Sequence, residues 1–199
     1  MNIVDRVKNI LVSPKTEWTT IEGENTPHVK LFTAYVLPLA LIPAVAAFVG
    51  YGLIGYSVLG IHFHSMEWGV RQAIIQFIVI AGGAYVSAFV ISLLAENFGA
   101  RKDLDRAFSL VAYAYTPMCV GGVFYLLPSL SWLASLAGIY GLYLLYIGLK
   151  PMMQVPAEKN DSYFIVSLIV TVAVVFVLSF VLAAVLVRGY AGYAGLSAF

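Results

Sequence analysis

Residues 107–149 read AFSLVAYAYTPMCVGGVFYLLPSLSWLASLAGIYGLYLLYIGL, and these 43 residues contain no Asp, Glu, Lys or Arg. As one helix they would be about 65 Å long, roughly twice the thickness of a bilayer's hydrocarbon core. The chain must turn back, and Leu127, Pro128 and Ser129 supply the turn. Once this stretch is two membrane spans, the other uncharged stretches follow: Lys30 to Glu67, Arg71 to Glu96, and Asp161 to Arg188. Each exceeds the roughly 20 residues that cross a membrane.

Five spans result, near 31–56, 71–95, 107–127, 130–149 and 163–187 of the 199-residue chain. Composition agrees, at 61% hydrophobic and 11% charged, against about 25% charged in an average soluble protein. Helices are expected, because lipid leaves unpaired backbone groups without partners and the segments lack the alternation of barrel strands. The fold class is therefore an all-α polytopic membrane bundle. A leader, residues 1–30, precedes the membrane domain at 31–199.

Nine of the eleven Lys and Arg residues fall on one side of a five-span layout: Arg6, Lys8, Lys15, Lys30, Arg101, Lys102, Arg106, Lys150 and Lys159. Only Arg71 and Arg188 fall opposite. Positive charge collects on the cytoplasmic side, so the N-terminus is expected inside and the C-terminus outside.

The leader does not read as a signal peptide, because the apolar patch Ile10, Leu11, Val12 is too short and no small-residue cleavage site follows it. Ile3, Val4, Val7, Ile10 and Leu11 share about a third of a helical wheel and predict an amphipathic helix. Ser13 and Pro14 predict the N-cap and first turn of a second helix, carrying Glu17, Trp18 and Ile21. Both helices are expected to lie in the inner interface, anchored by Arg6, Lys8, Lys15 and Trp18. A docking face for a cytoplasmic partner is the alternative.

Pro117 falls in the middle of the third span, where its ring removes the bond that would satisfy the Tyr113 carbonyl. Such an orphan in hydrocarbon costs several kcal/mol. A threonine hydroxyl reaches the carbonyl three residues back, so Thr116 is expected to patch the kink. Alternatively, Tyr113, Tyr115, Thr116 and Pro117 line a cavity.

In the fourth span Ala134, Gly138, Gly141 and Gly148 form a stripe of small residues, with Tyr140 and Tyr143 on the opposite face near the midplane. Small residues admit close helix packing, and a midplane hydroxyl needs a partner. The span is either the central helix of the bundle, the wall of a tyrosine-lined cavity, or a homodimer seam. Gly83 and Ser87 give the second span a similar packing face. Pro38 and Pro43 predict bends in the first span, and Gly50, Gly52 and Gly55 predict close packing or irregularity at its outer end.

Ionisable residues are absent from the depths of the spans, which argues against ion-coupled transport and intramembrane proteolysis. Phosphate-binding glycine loops and HExxH zinc helices are missing too. His62, His64 and Glu67 are the weak candidates for a metal site, and a strand-like or capped loop explains them as well. Gly99 suits the end of the second span, and Asp103 or Asp105 the cap of the third. The lone Cys119 has no internal partner.

The five-span layout, the leader SPKTEW, and the segments AYAYTP, YGLYLLYIGLKPM and RGYAGYAG resemble the bacterial branch of the Yip1 domain family along nearly the whole chain. The resemblance implies five helices, a cytoplasmic N-terminus, an inner-membrane location and no enzymatic activity. Tyr113, Tyr115, Pro117, Gly141 and Gly148 match as structural positions. Eukaryotic members are associated with trafficking and Rab-type GTPases, but their DLYGP-type motif is missing here, so GTPase binding is not implied.

The function expected is that of a membrane organiser or adaptor. The alternative is a small carrier, channel or lipid scramblase using a cavity near the third and fourth spans. Membrane lipids, a protein at the cytoplasmic face and a second copy of the chain are the expected partners. No cofactor and no nucleic acid are expected.

Overall fold

The computed structural model describes residues 2–58 and 61–196, with side chains described for all of these except 56–63 and 186–196. Two short helices open the chain, α1 (Ile3–Val12) and α2 (Pro14–Glu22). Five helices long and apolar enough to cross a membrane follow: α3 (His28–Ile54), α4 (Met66–Phe98), α5 (Leu104–Leu126), α6 (Trp132–Met153) and α7, which is continuous over Asn160–Leu196. The all-helical membrane architecture expected from the charge-free stretches is what the chain adopts. Between α3 and α4 two short strands, Tyr56–Val58 and Ile61–Phe63, pair antiparallel.

The ends of the helices follow local chemistry. Gly99 adopts a left-handed conformation (φ 67°) and closes α4, a backbone state that glycine enters without steric penalty. The Asp103 side chain accepts the Arg106 backbone N–H at 3.2 Å and caps α5. Asp105 does something else: one of its oxygens accepts the His28 backbone N–H and meets Nδ1 of the same histidine, both at 2.6 Å, tying the entry of α3 to the first turn of α5. Ser13 occupies the N-cap position of α2, but its side chain makes no capping bond.

Wide π-helical turns occupy Phe32–Val36 and Phe48–Ile54 of α3; the second holds Gly50 and Gly52, where irregularity is expected, whereas Pro43 lies within regular α-helix. Such turns absorb a local mismatch without leaving the helix. At the second one α3 and α4 touch backbone to backbone, since a Cβ on Gly69 would lie 2.5 Å from the Cα of Gly52. The turn between α5 and α6 falls at Pro128–Leu130, where the sequence places it.

The buried centre runs through α5, whose Phe108, Leu110 and Val111 are inaccessible. Around it stand Ile80 and Ile91 of α4, Leu144 and Leu149 of α6, and Ile10, Trp18 and Ile21 of the leader. By contrast α7 is mostly exposed, with Ile169, Phe176 and Phe180 pointing outward, as a helix bordering lipid does.

The leader is a hairpin whose helices α1 and α2 pack on each other and dock against α5 and α6. The Tyr140 hydroxyl donates to the Leu11 carbonyl at 2.8 Å. Lys15, just past the hairpin's turn, borders one pocket with Tyr146 and Lys150 at the basic end of α6. Of the four expected anchors, Lys8 and Lys15 are exposed, whereas Arg6 and Trp18 are 4% and 1% accessible. The reason is pairing: Arg6 donates to Glu17 at 2.5 Å and to Glu24, so the guanidinium is neutralised inside the leader and can be buried.

Candidate functional site

The segment around Pro117 builds the core of the site. Regular α-helix stops at Ala114, Tyr115 forms a turn, and helix resumes at Thr116 with Pro117 in its first turn. A proline there needs no N–H, so the break is cheap in backbone bonds. The patch expected from Thr116 is not made. Its hydroxyl meets the Tyr35 hydroxyl of α3 at 2.8 Å, because Tyr35 brings a buried polar group that has no other partner in this part of the bundle.

Two residues apart on the helix, the flanking tyrosines face opposite sides. Tyr113 faces the leader, where its ring lies edge-on to Tyr35 (4.9 Å between centroids) and to Trp18 (6.2 Å), with the Arg6 guanidinium 5.3 Å from its centroid. Arg6, Glu24, Lys30, Tyr35 and Tyr113 line a partly polar pocket of about 240 Å³. Burial alone would lower the pKa of Arg6, but the hydrogen bond to Glu24 and the charges of Glu24 and Glu17 hold it above the ordinary value. Arg6 stays charged and keeps both carboxylates.

Tyr115 faces the other way. Its hydroxyl lies 3.3 Å from that of Ser87 on α4, beside Gly83, which accommodates the ring. Past Tyr115 a cavity of about 460 Å³ opens between α5, α6 and α7, with Met118, Gly138, Leu142, Thr171 and Phe176 in its wall. Nearly all of that wall is carbon.

The glycine stripe of α6 divides into distinct roles. A Cβ on Gly141 would lie 2.6 Å from the Ala114 carbonyl oxygen, and one on Gly148 would lie 2.5 Å from the Trp18 indole. Ala134 is buried. Gly138 departs from the packing role read for it, since a Cβ there would have nothing within 4 Å; it borders the cavity instead. At Gly141 and Gly148 the stripe is covered by α5 and α2 of the same chain. Small residues let these backbones and the indole approach, and that space is already used.

Other candidates separate. Tyr140 reaches the leader, and Tyr143 is exposed with its ring 5.7 Å from that of Tyr140, so neither lines the membrane cavity. Thr116 borders none of these spaces, being spent on Tyr35. The carboxylate of Glu67 pairs with Arg71 one turn on, at 2.5 Å. Among the described residues no group of three His, Cys, Asp or Glu could hold a metal. The His62 side chain and the RGYAGYAG side chains from 188 onward lie outside the described residues.

Sequence reading missed Tyr35 and the α7 hydroxyls Ser167, Thr171 and Ser179. The latter had a signal, since serine and threonine at steps of four and eight place hydroxyls along one side of an otherwise aliphatic helix.

The Yip1 domain pattern matches residues 8–196. Inner membrane protein YohC of Escherichia coli (strain K12) is 30% identical over 181 residues, covering 88% of this chain and 92% of the relative. The protein of the same name from Escherichia coli O6:H1 matches with the same identity and coverage. No solved structure matches.

Proposed function

The chain belongs to the Yip1 domain family, and from that premise we propose that it is a non-enzymatic integral membrane protein that organises its surroundings, binding a protein partner or lipid through its leader. Its relatives are inner membrane proteins. The excess of nine Lys and Arg over two supports a cytoplasmic N-terminus and an outer C-terminus.

One observation carries the reading. The leader is fastened from beneath by Arg6, Trp18 and Leu11, yet its outer side presents Val4, Lys8 and Val12, all exposed and spaced four residues apart along α1. A rigid helix with an apolar stripe and a central cation suits an amphipathic contact, either with an acidic partner helix or with anionic lipid. Holding the helix in place beforehand lowers the ordering penalty on binding.

The test places a photo-crosslinking residue at Val12 in intact membranes, with Ile169 on the exposed face of α7 as the comparison. A discrete adduct at Val12, reduced by Val4→Ser with Lys8→Ser, supports the reading. Adducts at Val12 indistinguishable from those at Ile169 overturn it.

A second reading, a small carrier, channel or lipid scramblase, is favoured by the cavity beside the third and fourth spans. That wall carries no charged side chain, which is a poor match to ions and to zwitterionic headgroups.

A further inference from the structure

The pocket that Lys15 shares with Lys150 has a volume of about 450 Å³. Its two cations come from different elements, Lys15 from the first turn of α2 and Lys150 from the last turn of α6. Among the described residues neither ammonium makes a hydrogen bond or an ion pair. Arg6, Arg101, Lys102 and Arg106, on the same basic side of the chain, each meet a carboxylate instead. The one acid in the wall, Asp161, reaches neither lysine; one of its oxygens accepts the Tyr146 hydroxyl at 3.3 Å, and the Tyr146 ring is seated edge-on against Phe164. Two cations against one carboxylate leave the wall with a positive charge in excess. An anion entering the space is attracted by both lysines.

The level of the pocket says which anions it meets. Lys150 follows directly on the uncharged stretch 107–149, and Asp161 is the last charge before the uncharged run that ends at Arg188. Both α6 and α7 therefore leave the hydrocarbon here, at the level of the headgroups. Ile147 lies in the wall itself, and one turn deeper Tyr143 on α6 and Ile165 on α7 are exposed. Apolar surface thus continues from the charged pocket toward the membrane interior, which is the shape of a phospholipid and not of a soluble anion.

We propose that this pocket binds the headgroup of a singly anionic phospholipid from the adjoining leaflet: the phosphodiester lies between the Lys15 and Lys150 ammonium groups, and the acyl chains descend past Ile147 along Tyr143 and Ile165. Basic pockets between membrane helices hold anionic headgroups in this way. A zwitterionic headgroup is a poorer match, because its own ammonium adds positive charge to a wall that already has an excess. A soluble phosphate shares the phosphate chemistry but makes no use of the apolar path. The inference deepens the lipid reading of the leader, yet the pocket uses none of Val4, Lys8 and Val12, so it fails separately from the crosslink at Val12.

The experiment is native mass spectrometry of the full chain in a nonionic detergent, with dioleoyl phosphatidylglycerol, dioleoyl phosphatidylethanolamine and glycerol 3-phosphate in separate arms at equal concentration. The phosphatidylglycerol arm is expected to give a one-to-one adduct, and the other two much lower occupancy. Lys15→Gln and Lys150→Gln are each expected to weaken that adduct about fivefold, and the double variant more than about tenfold. Both side chains are exposed, so the variants keep the fold. Arg101→Gln with Lys102→Gln removes the same charge from the same side of the chain, at exposed positions outside the pocket, and is expected to leave the adduct unchanged. No phosphatidylglycerol adduct, equal occupancy by phosphatidylethanolamine or glycerol 3-phosphate, or equal losses in the two double variants would each overturn the proposal.

Discussion

The hydroxyl of Tyr35 lies 2.8 Å from the hydroxyl of Thr116, joining the first span to the third one residue before Pro117. Both residues are buried, and Thr116 is wholly inaccessible. Thr116→Val leaves the Tyr35 hydroxyl without its partner and is expected to destabilise the bundle by about 1–3 kcal/mol. Adding Tyr35→Phe removes both polar groups and should recover part of that loss. Unfolding titrations in mixed micelles measure the cycle; strictly additive losses would mean that the two hydroxyls do not interact.

Gly148 faces the Trp18 indole so closely that no Cβ fits without movement. Gly148→Val should therefore push the leader off α6, at about 1–3 kcal/mol for an overpacked contact. Trp18 emission would shift to the red and the leader would become sensitive to protease. Gly138→Ala, with open space around it, should leave both readouts unchanged.

Arg6 neutralises Glu17, and both side chains are almost completely buried. Removing the cation alone, by Arg6→Gln, strands a carboxylate and is expected to cost about 3 kcal/mol. Pairing it with Glu17→Gln should restore much of the stability, because no unpaired charge remains deeply buried, Glu24 being 37% accessible. Protease release of the leader from sealed vesicles gives the comparison, and equal release from the single and double variants would count against the pairing.

Pro117 sits where a helix begins anew, so its substitution is predicted to be mild. Pro117→Ala should change stability by less than about 1 kcal/mol, chiefly through the freedom it gives the unfolded chain. The break should persist, held by Tyr35 on Thr116 and by the close approach of Gly121 to Ala137. Maleimide labelling of the buried Cys119 reports on it; labelling in the alanine variant but not in the parent would show that the proline itself holds the break.

The sequence by itself determined how many times the chain crosses the membrane, because the exclusion of charge from hydrocarbon is a local rule, legible in uncharged stretches such as 107–149. It also determined the helix end at Gly99 and the turn at Pro128, each set by a few neighbouring residues, and narrowed the cap of the third span to Asp103 or Asp105. It could not decide what Arg6 and Trp18 were for: a cation and an indole beside a membrane read as interfacial anchors unless Glu17, Glu24 and Gly148 are known to converge on them. Nor could it tell Gly138 from Gly141 and Gly148, since three glycines on one stripe look alike until the neighbouring helices are in place. Only the tertiary structure decided those points, because burial and pairing are properties of what packs around a residue rather than of the residue.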